Sequence, residues 1–294
     1  MQQKQRDEDW KEQQTENKIP HREPVGERIE EDAENIIEEA QEEVATVRRP
    51  WYQTRRWGLI LLAVYGILLA LFALLAVWVA YHPVLAIDVT ITRAFQENQS
   101  PWLRYTMIAA SYIGNVSALS LGLIVLAAVL FWMVDLRLEA IMVVVVSAVS
   151  ALLNWLIKLV VARPRPSAGL VEVIQATSGQ SFPSGHVMSY VAFWGLLFSL
   201  GVILFTGKRW WRTALLIISA LFVALVGPSR IYLGDHWATD VLGAYLIGGL
   251  LLGLSLWIYL NLRGRGVLAP TGKRARRFHQ NYVRRPAQLR DTQR

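Results

Sequence analysis

Residues 57–81 read WGLILLAVYGILLALFALLAVWVAY and include no charged side chain. A helix of about 20 apolar residues is needed to cross the roughly 30 Å hydrocarbon core of a bilayer. The segment is therefore long enough to be a transmembrane helix. Arg55 and Arg56 come directly before it and separate it from a polar amino-terminal region.

Five more uncharged, mainly apolar stretches follow, and they cover residues 105–134, 140–157, 187–207, 213–229 and 241–262. The fourth of these, 213–229, is the shortest. The chain is 53% hydrophobic and only 18% charged, whereas soluble domains are about 25% charged. We therefore expect an all-α integral membrane protein, a six-transmembrane-helix bundle with flanking polar tails.

The tails differ in charge, and they divide the chain into three regions. Residues 1–56 are predicted to be an acidic cytoplasmic tail, residues 57–262 the membrane domain, and residues 263–294 a basic cytoplasmic tail. Apolar residues recur at helical spacing within 27–47, which fits either an amphipathic helix or a solvated tail. No apolar run precedes residue 57, so we expect no cleavable signal peptide. The chain has no cysteine, which excludes disulfides and thiolate metal sites.

The distribution of Lys and Arg predicts the orientation in the membrane. Short loops rich in these residues remain in the cytoplasm. Basic residues precede the first predicted span, lie in the loops 135–139 and 206–212, and fill the carboxyl-terminal tail. Six crossings place all four segments on one side, so both termini are expected in the cytoplasm. Residues 82–104, 158–186 and 230–240 are then expected on the outer face.

The first cluster of chemically interesting residues follows the third predicted span. Lys158, Arg163 and Arg165 lie within eight residues, and Pro164 and Pro166 prevent the helix from continuing. Arg offers a planar fork for phosphate oxygens, and Lys offers a point charge. Cations that anchor a helix end at the headgroup level would give the same pattern.

The second cluster begins the fourth predicted span with Pro183, Ser184, Gly185 and His186. A helix start of this kind exposes backbone N–H groups, and the helix dipole favours an anion there. Ser184 adds a hydroxyl donor, and His186 would lie in the first turn beside the anion. A histidine that only caps the helix is the alternative.

The third cluster contains Arg230, His236 and Asp240. His236 and Asp240 are four residues apart and share one face if the segment is helical. A carboxylate that accepts the Nδ1–H of a histidine leaves Nε2 free to act as a nucleophile. A purely structural His–Asp pair is the alternative. All three clusters fall on the same predicted membrane face, where ionisable side chains are costly and usually functional.

Together these residues resemble the three-part signature of the type 2 phosphatidic acid phosphatase family, which shares its site with the vanadium haloperoxidases. The matching positions are Lys158-x6-Arg165-Pro166, Pro183-Ser184-Gly185-His186 and Ser229-Arg230-x5-His236-x3-Asp240. No signature position is substituted. The resemblance covers residues 57–262 and leaves out both tails.

The resemblance implies a role for each residue. His236 would attack phosphorus and form a phosphohistidine, Asp240 would orient it, and His186 would protonate the leaving oxygen. The phosphate oxygens would be held by Lys158, Arg165, Ser184, Gly185 and Arg230. No metal or other cofactor is implied. Arg163 and Asp235 lie outside the signature and are expected to support the site from behind at most.

The expected function is a membrane lipid phosphatase in a bacterial inner or plasma membrane, with membrane lipids around it and a lipid phosphate as substrate. A site on the outer face favours undecaprenyl diphosphate, and phosphatidate or phosphatidylglycerol phosphate are the alternatives. No nucleic-acid partner is expected, and the oligomeric state is left open. A lipid-phosphate transporter or sensor, or a haloperoxidase, would use the same cations differently. A transporter also needs a polar path, which the six stretches lack.

Overall fold

A computed structural model describes residues 34–37, 55–175, 177–205 and 209–269. Among these residues the regular structure is helical, with no strands. Residues 34–37 are helical and belong to a separate unit from the rest of the described chain. Most of the predicted amphipathic helix at 27–47, and nearly all of both predicted tails, lie outside the described residues.

Eight helices make up the rest of the described chain. They are α1 (Arg55–Tyr81), α2 (Ala86–Gln96), α3 (Pro101–Asn115), α4 (Ser117–Met133), α5 (Arg137–Val161), α6 (Gly185–Leu204), α7 (Trp210–Tyr232) and α8 (Ala238–Gly264). Five of them, α1, α5, α6, α7 and α8, are long and apolar enough to cross a membrane. The shortest predicted stretch, 213–229, lies within α7, which has 23 residues.

The prediction of one continuous span over residues 105–134 was wrong. Helices α3 and α4 meet there at an angle of 69°. Val116 joins them in an extended conformation, with φ −98° and ψ 94°. The described chain thus has five candidate spans, or six if the bent pair is counted as one. The prediction missed the bend because it relied on the absence of charge, and the stretch is uncharged on both sides of Val116.

Helix α2 lies within the segment 82–104, which the sequence analysis treated as a connecting loop. Its buried residues are polar and lie one turn apart: Asp88, Thr92 and Gln96. The Gln96 side chain donates to the backbone oxygens of Glu172 at 2.7 Å and Tyr232 at 2.9 Å. Its apolar residues Ile87, Ile91 and Phe95 also recur at helical spacing, but they are exposed or half-buried. Hydropathy alone would therefore assign the wrong face of this helix to the interior.

The bundle packs around α6, which is the most buried of the five span-length helices. One buried apolar cluster contains Leu196 and Leu200 of α6 together with Val143 of α5 and Tyr259 of α8. A second cluster, which includes Phe182, Met188 and Ala244, lies closer to the polar helix ends. By contrast, α1 is largely exposed along its length, as expected for a helix that faces lipid.

Helix α7 has an irregular turn just before Arg230. The Tyr245 hydroxyl donates to the Val223 carbonyl at 2.6 Å and accepts the Gly227 N–H at 3.2 Å. These two backbone groups pair with each other in a regular α-helix. Pro228 follows and supplies no N–H of its own. A side chain bridging the helical ladder and a proline are both recognised causes of bending, and here they set the direction of the last turn.

Candidate active site

The three sequence clusters come together at one end of the bundle. Lys158 lies in the last turn of α5, and the chain leaves that helix through Ala162, which has a left-handed conformation with φ 49°. The second cluster begins α6. Arg230 lies near the end of α7, and Asp240 lies in the first turn of α8. The helix α5 ends at Val161, one turn beyond the predicted end of the span.

His236 occupies the short connection between α7 and α8, and only 1% of it is exposed. Its Nδ1 lies 3.6 Å from Asp240 Oδ2 and 3.4 Å from Ser181 Oγ. Its Nε2 faces the Arg165 guanidinium at 3.3 Å. Because Arg can only donate, Nε2 presents its lone pair on that side and Nδ1 carries the proton. Burial lowers the pKa of His236 from 6.5 to about 3, although Asp240 opposes the change.

Asp240 is fully buried, and its two oxygens have different partners. Oδ2 accepts the Trp237 N–H at 2.9 Å and the Ser181 hydroxyl. Oδ1 accepts a hydrogen bond from Arg163 at 2.6 Å. Carboxylates in the first turn of a helix are stabilised by its dipole. Asp240 is therefore held rigidly, with one edge turned towards His236.

Arg163 joins two buried carboxylates. One nitrogen contacts Asp240 at 2.6 Å and the other contacts Asp88 of α2 at 2.7 Å, and none of the three side chains is exposed. Its Nε donates to the Pro83 carbonyl at 2.9 Å. The Thr239 hydroxyl donates to the same Asp88 oxygen at 2.7 Å. Arg163 therefore contacts the carboxylate that faces His236.

Arg165 lies beside the Nε2 of His236, on the side away from Asp240, and Lys158 lies in the last turn of α5. The Lys158 ammonium donates to the Gln180 carbonyl. Arg165 donates to the Gly179 carbonyl at 3.1 Å and the Asp235 carbonyl at 2.8 Å. Apart from the contact of Arg165 with the His236 ring, these contacts are to backbone oxygens rather than carboxylates, so the two positive charges are available to an anion.

Arg230 is buried and pairs with the Asp235 carboxylate, which also accepts the Thr177 hydroxyl at 3.0 Å. Its other terminal nitrogen donates to Asn115 Oδ1 at 3.1 Å. The sequence analysis expected Asp235 to support the site from behind. In the structure it pairs with one edge of the Arg230 guanidinium.

His186 lies in the first turn of α6, where its Nε2 is 2.7 Å from Asn115 Oδ1. Gly114 packs directly against the imidazole. A Cβ added to this glycine would lie 2.2 Å from His186 Cδ2, so no larger residue fits at that position without moving the ring.

Ser184 is the N-cap of α6 and is fully buried. Within the part of the chain that the structure describes, its hydroxyl has no hydrogen-bond partner. Buried hydroxyls without a partner are rare and need an explanation. The neighbouring Gly185 lies close to Asn154, whose Oδ1 would be 3.0 Å from an added Cβ. A phosphate oxygen at this helix start would satisfy the Ser184 hydroxyl.

Comparison with known proteins relates this geometry to a family. The model of the PAP2 superfamily matches residues 139–263. Phosphatidylglycerophosphatase B of Bacillus subtilis is 32% identical over 186 residues, which cover 62% of this chain and 88% of that protein. The undecaprenyl-diphosphatase of Sulfolobus acidocaldarius is 27% identical over 204 residues, covering 66% of this chain and 90% of that protein.

A solved structure agrees with these matches. It is the crystal structure of a transmembrane PAP2-type phosphatidylglycerolphosphate phosphatase from Bacillus subtilis, with a TM-score of 0.56 and 29% identity. The match covers 66% of this chain and 94% of that chain. The chain belongs to the PAP2 superfamily. It is a multi-pass membrane protein and a lipid phosphatase of this superfamily.

The PAP2 match contains every site residue that the sequence analysis selected, since they run from Lys158 to Asp240. Residues that were not selected also contact this set, either directly or through Arg163. Ser181 touches both Asp240 and His236, Asn115 touches His186 and Arg230, and Asp88 touches Arg163.

The signals for these residues were weak in the sequence. Asp88 and Asn115 precede the PAP2 match and lie far along the chain from their partners. Asn115 is an uncharged polar residue within a mainly apolar stretch, and its residue type alone did not single it out. Asp88 is ionisable and lies close to a predicted span. Because an ionisable side chain at membrane depth is energetically costly, its position alone could have marked it as a functional residue.

Proposed function

We propose that this PAP2 phosphatase hydrolyses a lipid phosphate at the outer membrane face through a phosphohistidine on His236. One observation carries the proposal. The Nε2 of His236 lies 3.3 Å from the Arg165 guanidinium, while its Nδ1 faces Asp240. A neutral imidazole held in this tautomer is a suitable nucleophile. Its low pKa supports the neutral form at physiological pH.

In the first step, the lone pair of His236 Nε2 forms a bond to phosphorus. The bond between phosphorus and the lipid oxygen breaks, and that oxygen keeps the electron pair and takes a proton from His186. In the second step, a water oxygen bonds to phosphorus, and the bond from phosphorus to Nε2 breaks. His186 accepts the proton of the water, and inorganic phosphate leaves.

The cations support this chemistry by stabilising negative charge. Phosphoryl transfer spreads charge over three equatorial oxygens, so positive groups fixed around them lower the barrier. Lys158, Arg165 and Arg230 come from three different elements and would hold these oxygens. The Ser184 hydroxyl and the Gly185 N–H would add two donors at the α6 helix start. We expect this set to act without a metal ion.

The proposed side of the membrane follows from the charge distribution. The end of the bundle that holds the site is opposite the loop 135–139, which carries Arg137, and opposite the segment after α8, which is rich in Lys and Arg. Basic short loops are retained in the cytoplasm. The site would therefore face outward, with the lipid chains of the substrate in the bilayer and its phosphate at the headgroup level.

Two substrate classes deserve direct comparison. The relative from Bacillus subtilis, matched over 88% of its length, is named a phosphatidylglycerophosphatase. The relative from Sulfolobus acidocaldarius, matched over 90% of its length, is named an undecaprenyl-diphosphatase. We propose phosphatidylglycerol phosphate as the first substrate to test because its relative has the higher identity. Undecaprenyl diphosphate is the second, since an outward site suits a carrier lipid that is recycled from that face.

Release of inorganic phosphate by the purified protein tests the proposal. The substrates are phosphatidylglycerol phosphate, undecaprenyl diphosphate, phosphatidate and lysophosphatidate in detergent micelles. We expect His236→Ala to release none. His82→Ala is the matched control, because His82 is exposed and its imidazole contacts the ring and the carbonyl of Trp78. Equal activity of the His236 variant would contradict the mechanism.

Two reagents added to the assay distinguish this mechanism from a metal-dependent phosphatase and from a haloperoxidase. EDTA should leave phosphate release unchanged, since fixed Lys and Arg side chains supply the positive charge. Loss of activity in EDTA would indicate a metal enzyme. Adding peroxide, bromide and vanadate tests haloperoxidase activity, and bromination without phosphate release would contradict the proposed function.

A further inference from the structure

Asn115 is the last residue of α3, and its side-chain oxygen lies between two groups of the site. Oδ1 is 2.7 Å from His186 Nε2 and 3.1 Å from an Arg230 guanidinium nitrogen. Arg has donors only, so the atom beside it must be the oxygen of the carboxamide rather than its nitrogen. The Asn115 amide nitrogen correspondingly donates to Gln175 Oε1 at 3.2 Å.

This assignment determines the proton on His186. An oxygen that accepts from Arg230 can interact with Nε2 only as an acceptor, so Nε2 must carry a hydrogen. The N–H of the proposed general acid is therefore directed at the position that Asn115 Oδ1 fills. That position is also within hydrogen-bond distance of a cation expected to hold the phosphate.

A leaving oxygen has the same two requirements. It must lie within about 2.6–3.2 Å of the acid that protonates it, and it benefits from a nearby positive charge as the bond to phosphorus breaks. We propose that Asn115 Oδ1 occupies the leaving-oxygen subsite in the ligand-free protein and is displaced when a phosphate binds. This inference rests on the proposed function, because it assumes that His186 is the acid.

The end of α3 is built to hold Asn115 at this position. The Tyr190 hydroxyl donates to the Ala110 carbonyl at 2.9 Å and accepts the Gly114 N–H at 3.1 Å. Tyr190 is one turn after His186 in α6, so this contact ties the last turn of α3 to the helix that carries the acid. Gly114 packs against the His186 ring, which brings the next residue, Asn115, to its Nε2.

The bend after Asn115 provides room for the side chain to leave. Val116 is extended and α4 departs at 69°, so Asn115 lies at a helix end rather than inside a continuous span. Its carboxamide can rotate out of the subsite without breaking the hydrogen bonds of a helix interior.

Competition between Asn115 and the substrate has a measurable consequence. Binding an anion in the subsite requires that Asn115 give up two hydrogen bonds, one of them to a charged group. Removing the carboxamide should therefore tighten anion binding by roughly tenfold, given the usual strength of charge-assisted hydrogen bonds. A residue with a purely structural role would weaken binding or leave it unchanged when truncated.

Vanadate is the probe, because its five-coordinate form places one oxygen on the side opposite the attacking nitrogen. We expect Asn115→Ala to lower the inhibition constant for vanadate about tenfold and to lower KM in the same direction. Asn115→Asp keeps the shape of the side chain and adds a negative charge, so it should raise both constants. Asn98→Ala is the matched control, since the side-chain oxygen of Asn98 accepts hydrogen bonds from Ser100 at the start of α3.

The outcomes separate the subsite from the proposed function. Thermal unfolding of the full-length chain in detergent, with and without vanadate, measures binding without turnover. If vanadate stabilises Asn115→Ala no more than wild type, the displacement is wrong, even if phosphate is released normally. If Asn115→Ala does not fold, Asn115→Asp provides the test. A vanadate affinity equal to that of wild type in this variant would contradict the proposed displacement of Asn115. If Asn115→Ala binds vanadate more tightly but no lipid phosphate is hydrolysed by wild type, the displacement of Asn115 is supported and the proposed function is contradicted.

Discussion

Arg163 Nη1 lies 2.6 Å from Asp240 Oδ1, and neither side chain is exposed. The same guanidinium contacts Asp88 at 2.7 Å. Buried charges are tolerated when they are paired and hydrogen-bonded. A positive charge shared by two carboxylates keeps Asp240 in its ionised form and fixes its orientation, and Asp240 in turn faces the histidine proposed to attack phosphorus. This relationship connects α2 to the site.

Arg163→Lys should reduce kcat by roughly 10- to 100-fold, because a point charge cannot contact both carboxylates and a small misplacement of a reacting group is costly. KM should change little, since Arg163 has no proposed contact with substrate. Steady-state phosphate release measures both constants. Arg93→Lys is the control, because Arg93 lies on α2 and donates to the Leu170 carbonyl. A change in KM alone would contradict a role through Asp240.

Arg163→Ala should be more severe and act on stability. It leaves Asp88 and Asp240 buried without their cation, and removing one partner of a buried pair costs about 3–5 kcal/mol. The double variant Arg163→Ala with Asp88→Asn should recover part of that loss. Thermal unfolding in detergent gives the comparison, and no recovery in the double variant would argue against the shared charge.

His186→Ala should slow cleavage of lipid phosphates by roughly 10²- to 10⁴-fold, the usual contribution of a general acid. The loss should be much smaller for a phosphate ester with a good leaving group, because that oxygen departs without a proton. Rates of wild type and variant on a lipid phosphate and on p-nitrophenyl phosphate provide the test. An equal loss on both substrates would mean that His186 does not protonate the leaving oxygen.

The low pKa of His236 predicts a specific dependence of stability on pH. In the unfolded chain the imidazole takes up a proton near 6.5, whereas in the folded, ligand-free protein it does so only near 3. A lowered folded-state pKa means that stability is fully present above about 6.5 and falls as the pH drops towards 3. His236→Asn should therefore lose less stability than wild type between pH 6.5 and 4. Thermal unfolding midpoints across this range measure the difference, and parallel curves would contradict burial of a neutral imidazole.

Tyr245→Phe should weaken the active site through α7. The hydroxyl contacts the Val223 carbonyl and the Gly227 N–H, one turn before Arg230. Without the Tyr245 hydroxyl, the Gly227 N–H can bond directly to the Val223 carbonyl. The last turn of α7 would then change direction and move the Arg230 guanidinium. We expect a stability change of about 1 kcal/mol and a raised KM. Tyr81→Phe at the exposed end of α1 is the control, and an unchanged KM in Tyr245→Phe would show that the bridge does not position Arg230.

The sequence alone was sufficient for the membrane class and for the residues of the three clusters. Long uncharged, apolar stretches are typical of transmembrane helices. The spans of α1, α5, α6, α7 and α8 could therefore be predicted closely. The three clusters could also be recognised, because the residues of each cluster lie close together along the chain. The PSGH helix start and the four-residue spacing of His236 and Asp240 are short-range patterns.

The tertiary structure decided the features that depend on distant contacts. The break at Val116, the polar face of α2 and the pairing of Arg163 with Asp88 have no local signature. Asp88 and Arg163 are 75 positions apart, and Asn115 and Arg230 are 115 apart. Local periodicity reports which face of a helix is apolar, but it does not report which polar side chain another helix brings to meet it. That information is created only when the helices pack and the buried polar groups must find partners.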